Sequence, residues 1–431
     1  MRLLPRFLAL LICIAAAATA TAQDELYLKI TQPGLTRVSV ATPAFLVLPG
    51  TPADVAQQFQ KVLDADLAVA APIAVLDPKL YSLVQDDSRP KVLYERWRSI
   101  GAQFLLTGTV VRAGGQLVVE ARLVDLVSGE YAFAKRYRAG LNAADILAHT
   151  LANDLVKVFT GRPGPFLSRI AFISDRTGHS ELWLMNWDGS DPRQLTKHSS
   201  IAIGPAWSPD GTKIAFTSYL RNTPGLYLLT PQEGYLKPLW DKGGVNSSPS
   251  FSPDGTKIAF ASSVNENVDI WVIPTAGGQA TRVTTARAID TQPAWAPNGR
   301  QIVFTSARSG TPQLYIMDSD GANVRRLTFD GDFFDEAAWS PDGTHVACTT
   351  KVNGRFQLAT IDIATDEVTI LHGPGNNESP CFSPDGSLLA FSSDRDGSQQ
   401  IYITDAEGRP HQLTHQGRNY SPTWGGMTVS R

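Results

Sequence analysis

Few residues in the chain could carry covalent or metal chemistry, and they do not form a set. The seven histidines, His149, His179, His198, His345, His372, His411 and His415, fall at unlike positions. No G-x-S-x-G elbow, C-x-x-C pair, H-E-x-x-H pair or phosphate-binding glycine loop is present. Only acidic groups suggest convergence: Asp290, Asp335, Glu336 and Glu378 all sit shortly before apolar-turn segments of an internal repeat. Clustered carboxylates of this kind form either a solvated polar funnel or a seat for a hard cation such as calcium. No fixed calcium-loop spacing accompanies them, so no metal ligand is assigned and no cofactor is expected beyond such a channel cation.

The elements that must position these acids are set by that repeat. Ser208-Pro209-Asp210-Gly211 recurs as Ser252-Pro253-Asp254-Gly255, Ala296-Pro297-Asn298-Gly299, Ser340-Pro341-Asp342-Gly343 and Ser383-Pro384-Asp385-Gly386. The tetrapeptide suits a type I turn, with Ser capping, Pro presetting φ and Gly closing the fourth position. Trp207, Phe251, Trp295, Trp339 or Phe382 precedes each copy. A short apolar strand follows, as in Ile214-Ala215-Phe216 and Ile258-Ala259-Phe260, and a sixth copy, Ile170-Ala171-Phe172, lies upstream without a turn before it. Four short strands in each repeat of about 44 residues are the signature of a propeller blade. Six copies of the apolar strand predict six blades over 165–431. The first unit lacks its innermost strand, and Asn419-Tyr420-Ser421-Pro422-Thr423-Trp424 supplies one with no blade after it. Pairing the two closes the ring and removes an open edge.

Ahead of the propeller the texture changes. Residues 35–160 read as a small α+β domain: a strand from Leu35 to Ala41, a helix capped by Thr51, a short helix around Tyr94 and Trp97, a hairpin turning at Gly114-Gly115, a third strand from Tyr131, and an amphipathic helix from Ala143 to Phe159. Residues 161–165 read as the linker. Residues 1–22 read as an export signal, with Arg2 and Arg6 before an apolar run too short for a comfortable membrane span. Residues 23–34 read as a flexible arm or the first half of an edge strand.

With 431 residues, 43% of them hydrophobic, the chain can build two cores. A net charge of -3 gives no global attraction to nucleic acid or anionic lipid, and no direct membrane span is expected. Beyond the signal, Cys348 and Cys381 replace apolar repeat residues and are expected as buried thiols.

An export signal, a small α+β domain and six blades carrying W-S-P-D-G-x-x-I-A-F, best kept in Trp207 to Phe216, Phe251 to Phe260 and Trp339 to Cys348, resemble the TolB family of the Tol-Pal envelope system. The resemblance implies a periplasmic, non-enzymatic adaptor with two contacts. The propeller mouth would hold the peptidoglycan-associated lipoprotein Pal through Val245, Asn246, Ser248, Asp290 and Thr291, with Glu336, Glu378 and Tyr420 as equivalents in other blades. The N-terminal arm, Asp24, Glu25, Leu26, Tyr27, Leu28, Lys29 and Ile30, would hold TolA, with other outer-membrane proteins as further partners. The system supports outer-membrane invagination at cell division, envelope integrity and protein import. The competing reading is a secreted propeller enzyme, a metal-dependent lyase or hydrolase, which would require acid, base or metal groups converging on the axis.

Overall fold

The computed structural model describes residues 37–84, 89–404 and 408–425; the signal and arm readings lie outside these residues. The N-terminal domain is a mixed sheet with helices against it. Its strands are β1 (Val38–Ala41), β2 (Leu46–Val47), β3 (Ile73–Val75), β4 (Phe104–Ala113), β5 (Gln116–Asp125) and β6 (Tyr131–Gly140), in the order β3-β1-β4-β5-β6 with β2 also on β4. β1 runs parallel to β3 and β4, whereas β4, β5 and β6 form an antiparallel meander. Gly114 and Gly115 turn the β4–β5 hairpin at φ 59° and 80°, positive values a two-residue turn demands of both central residues.

Three helices accompany the sheet: α1 (Ala53–Val69), α2 (Pro90–Ser99) and α3 (Ala144–Thr160). The α1 start differs from the sequence reading. Its cap position is Pro52 and no side chain caps it. The Thr51 hydroxyl instead donates to Leu48 O at 2.8 Å and accepts from Arg112 N–H at 3.1 Å, tying the chain to β4. Phe59, Leu63 and Leu67 of α1 and Ala148, Leu151 and Leu155 of α3 point inward together and are fully buried.

Residues 169–425 form six four-stranded sheets. Five use consecutive strands; in the sixth, the closing strand Asn419–Gly425 pairs with Arg169–Ser174, followed by Glu181–Asn186 and Arg193–Gln194. The sheet containing the closing strand is blade 1; the innermost strands of blades 2 to 6 are Ala202–Trp207, Asn246–Phe251, Asp290–Trp295, Phe334–Trp339 and Asn377–Phe382. Each S-P-D-G turn is held by its aspartate. In blade 2, Ser208 Oγ donates to Asp210 Oδ1 at 2.6 Å and Thr212 N–H donates to the same oxygen at 3.0 Å. The Ser208 hydroxyl in turn accepts from Lys213 N–H at 2.9 Å, which starts the next strand.

The linker is firmer than its Gly-Pro composition suggests. Gly161 ends α3 in the left-handed region at φ 75°. Five residues on, Phe166 is buried; its N–H donates to Asn153 Oδ1 of α3 at 3.0 Å and its ring meets Trp187 of the propeller edge-on at 5.0 Å. One hydrophobic cluster runs unbroken from α1 and α3 through Phe166 and Ile170 to Met185, Trp187, Leu388 and Trp424. The two domains thus share a core. Burying Phe166 alone contributes about 2–3 kcal/mol to holding them together.

Candidate partner-binding mouth

Inner strands start at one end of the propeller and finish at the S-P-D-G turns at the other. Leu388 lies just past such a turn, Trp424 at the finish of the closing strand and Trp187 just past the blade 1 strand Glu181–Asn186, which runs in the same direction as the inner strand. All three join the hydrophobic cluster that α1 and α3 build, and the His149 ring of α3 meets Trp187 edge-on. That domain therefore covers the finishing end, and the starting end is a mouth it does not occupy.

Behind the mouth lies a channel of about 480 Å³, lined by the six inner strands. Every inner strand is bulged at the same place, and at each bulge one residue adopts positive φ: Gly204 (56°), Ser248 (55°), Gln292 (51°), Glu336 (55°), Ser379 (54°) and Ser421 (49°). Left-handed backbone costs a non-glycine residue on the order of 1 kcal/mol. Five such residues at equivalent places mean that the fold imposes the bulge, and all six face the channel.

The mouth residues expected from the sequence divide into three groups. Val245 is 44% exposed on the rim, and Ser248 lines the channel. Thr291 and Tyr420 are half-buried, the latter donating through its hydroxyl to Ser180 Oγ at 2.8 Å. Asn246 and Asp290, however, are fully buried. Both begin an inner strand, and this position serves an internal clamp. Asp290 receives two hydrogen bonds from Arg308 Nη2, at 2.9 and 3.1 Å. Arg308 Nε also donates to Ser306 Oγ at 2.8 Å, and the guanidinium lies over Phe304 and Tyr315. Blade 6 repeats this with Asn377, Ser393 and Arg395, and blade 1 with Asn419, Ser174 and Arg176. Asn246 Oδ1 accepts from Ser262 Oγ, and its amide donates to Pro224 O and Lys242 O. Asp290 is thus clamped within blade 4 and Asn246 ties blade 3 to blade 2, and neither presents surface to a partner. The sequence signal for the clamp is S-x-R-x-G after the second strand, in Ser174 to Gly178, Ser306 to Gly310 and Ser393 to Gly397.

The acids also separate. Glu336 braces blade 5 to blade 6: its carboxylate accepts from Ser379 N–H at 2.8 Å, Ser379 Oγ at 2.9 Å and Thr349 Oγ1 at 2.7 Å. Asp335 accepts from Thr305 Oγ1 at 2.7 Å and from Glu336 N–H at 2.8 Å, and burial pushes its carboxyl up. Glu378 has a single long contact, from Gln399 Nε2 at 3.3 Å. Burial, then the charges of Glu336 and Asp394, push it up to about 7. Among the described residues, no group of three or more His, Cys, Asp or Glu side chains is placed to hold a metal ion.

A feature of the mouth that escaped sequence reading is an apolar arc. Ile201, Val245 and Ile289 immediately precede the inner strands of blades 2, 3 and 4 and are 49%, 44% and 53% exposed. At the corresponding places blade 6 has Asn376 and blade 1 has Arg418. Blade 5 has the half-buried Phe333 there, so four rim positions are apolar and two polar. The pattern is visible in the sequence only after each repeat is aligned on its bulge.

A closed propeller with an uncovered mouth and a largely apolar rim offers a surface on which a partner could dock. The chain matches the TolB beta propeller domain over residues 156–428 and the TolB amino-terminal domain over residues 26–132. It is 36% identical over 246 residues to the Tol-Pal system protein TolB of Desulfosudis oleivorans, covering 56% of this chain and 55% of that one. It is also 36% identical over 215 residues to the Tol-Pal system protein TolB of Syntrophotalea carbinolica, covering 48% and 49%. The chain spans about half the length of these curated relatives. The crystal structure of TolB from Acinetobacter baumannii superposes with a TM-score of 0.79 at 26% identity, over 90% of this chain and 97% of that one. The chain belongs to the TolB family. Its relatives are named as Tol-Pal components and not as enzymes.

Proposed function

We propose that the protein is a periplasmic adaptor of the Tol-Pal system, binding Pal at the propeller mouth and TolA through the N-terminal arm, and so supporting outer-membrane invagination at division and envelope integrity. The observation that carries this reading is the mouth itself: the N-terminal domain packs on the opposite end, leaving Ile201, Val245 and Ile289 exposed in an arc. Protein interfaces place an apolar core inside a polar rim. Family membership supports Pal as the ligand, and the amino-terminal match from residue 26 takes in most of the arm, Asp24 to Ile30. Among the described residues no helix is long and apolar enough to cross a membrane.

Calorimetric titration tests both contacts. A Val245→Glu, Ile289→Glu double variant is expected to lose at least tenfold in Pal affinity with unchanged melting, and deletion of residues 24–34 to abolish TolA binding while leaving Pal affinity within a few-fold. Retained Pal affinity in the first, or retained TolA affinity in the second, would overturn the corresponding contact.

A further inference from the structure

Where the two domains meet, the shared core encloses one acid–base pair that the mouth does not use. His149 of α3 donates through Nδ1 to Asp66 Oδ2 of α1 at 2.8 Å, and both side chains are buried, at 8% and 1% exposure. The imidazole also meets the Trp187 ring edge-on at 6.3 Å, and Trp187 meets Phe166 edge-on just after the linker. The pair therefore joins α1 to α3 and, through the imidazole, touches Trp187 of the propeller. The other charges acting on it are Asp145 from α3 and Asp188 from the propeller loop beside Trp187. Asp64, two residues away on α1, is turned to Gln60 instead, accepting from its Nε2 at 2.8 Å.

Burial raises the Asp66 carboxyl to about 6, against the opposing hydrogen bond and charge of His149. At His149 burial pulls downward, but Asp66, Asp188 and Asp145 outweigh it and the imidazole is raised. Both shifts have one sign. Asp66 contributes stability that is complete below its unfolded value near 3.8 and is lost as pH rises through about 6. The His149 contribution is complete below about 6.5 and is lost as pH rises through its higher folded value. The packed junction holds more protons than the opened one across this window.

We propose that Asp66 and His149 form a proton-sensitive clamp on the domain junction, tightening the N-terminal domain onto the propeller in mild acid and loosening it as pH rises. An arm carried by that domain would then sit on a platform whose firmness follows the pH of its compartment. The clamp stands whether or not the mouth binds Pal.

Hydrogen exchange by mass spectrometry on the full chain reads the clamp directly, through peptides spanning residues 160–168, which contain the Phe166 N–H bonded across to Asn153. After correction for intrinsic exchange chemistry, protection there is expected to fall about tenfold between pH 5.5 and 8.5, the change that a one-unit pKa difference yields. The closing strand, residues 419–425, should change much less. In His149→Gln the fall should shrink below threefold. Asp66→Asn, which keeps an acceptor for Nδ1, should behave the same way and serves if the first variant does not fold. A flat wild-type profile, an equal fall at the closing strand, or an undiminished fall in either variant would overturn the clamp.

Discussion

Replacing Asp290 tests whether the first residue of an inner strand is a structural clamp. The Asp290 carboxylate is fully buried and receives both contacts from Arg308 Nη2, whose side chain is 24% exposed. Breaking a buried ion pair by removing one partner costs about 3–5 kcal/mol. Arg308 keeps Ser306 Oγ and its place over Phe304 and Tyr315, and reaches some water, so Asp290→Ala should fall at or just below that range, about 2–3 kcal/mol. Asp290→Asn should cost under about 1 kcal/mol, because Asn377 and Asn419 perform the same task for Arg395 and Arg176, at 2.7 and 2.9 Å. For a unit of this size, each kcal/mol moves the melting temperature by about 2–4 °C. Thermal denaturation at pH 7 should therefore lower the midpoint by about 4–12 °C for Ala and by under about 4 °C for Asn. Pal affinity measured below the melting range should stay within a few-fold for Asn, since residue 290 presents no surface. An Asn variant as unstable as Ala, or a fully stable Ala variant that has lost only Pal binding, would refute the clamp and return Asp290 to the mouth.

Three further outcomes follow from the same geometry. A chain ending at residue 418 lacks the strand that pairs with Arg169–Ser174, and should give no soluble, cooperatively melting propeller; a melt like that of the full chain would exclude the observed closure. Glu378 has a raised folded value, so its stability contribution is complete below about 4.5 and lost as pH rises through about 7; Glu378→Gln should be neutral at pH 4.5 and stabilise by on the order of 1 kcal/mol at pH 8, after discounting for solvent screening, in paired melts at the two pH values. Glu336→Ala removes the brace between blades 5 and 6 and should cost about 2–3 kcal/mol in chemical denaturation, whereas a loss below about 0.5 kcal/mol would show that Ser379 finds other partners.

The propeller was legible because its signals are local and repeated. Pro and Gly in each S-P-D-G turn fix backbone within four residues, and six copies of one apolar strand supply the blade number. Closure was legible for a similar reason: Asn419 to Trp424 has the inner-strand pattern and no blade of its own. The hairpin at Gly114-Gly115 announced itself by the same chemistry. What escaped is what depends on distant partners. The family resemblance put Asn246 and Asp290 at the mouth; their burial is decided by Ser262 on the adjoining strand and by Arg308 in the turn beyond it. Glu336 looked like a free acid because Ser379, 43 residues on, cannot be recognised as its partner before the blades are placed side by side. Thr51 looked like a helix cap, and β4 captured its hydroxyl instead. The linker's Gly and Pro marked its place, but nothing in 161–165 announced the anchoring by Phe166 and Trp187 just beyond it.

The closing strand also sets an order in time. Asn419 bonds to Arg176 across a sequence separation of 243 residues, and until it arrives Ile170 to Ile173 must wait with a bare strand edge. Blades 2 to 6 can each form as their own four strands emerge, but blade 1 is begun early and completed last. A nascent chain thus exposes an adhesive edge for nearly its whole production, and such edges recruit strands from other molecules. Contacts this far apart also form slowly. The shared core gives the waiting blade a neighbour in the meantime: α3 and Phe166 precede it in the chain and can pack on Ile170 and Trp187 before the ring is shut. The N-terminal domain is thereby placed to act as a built-in chaperone for the seam.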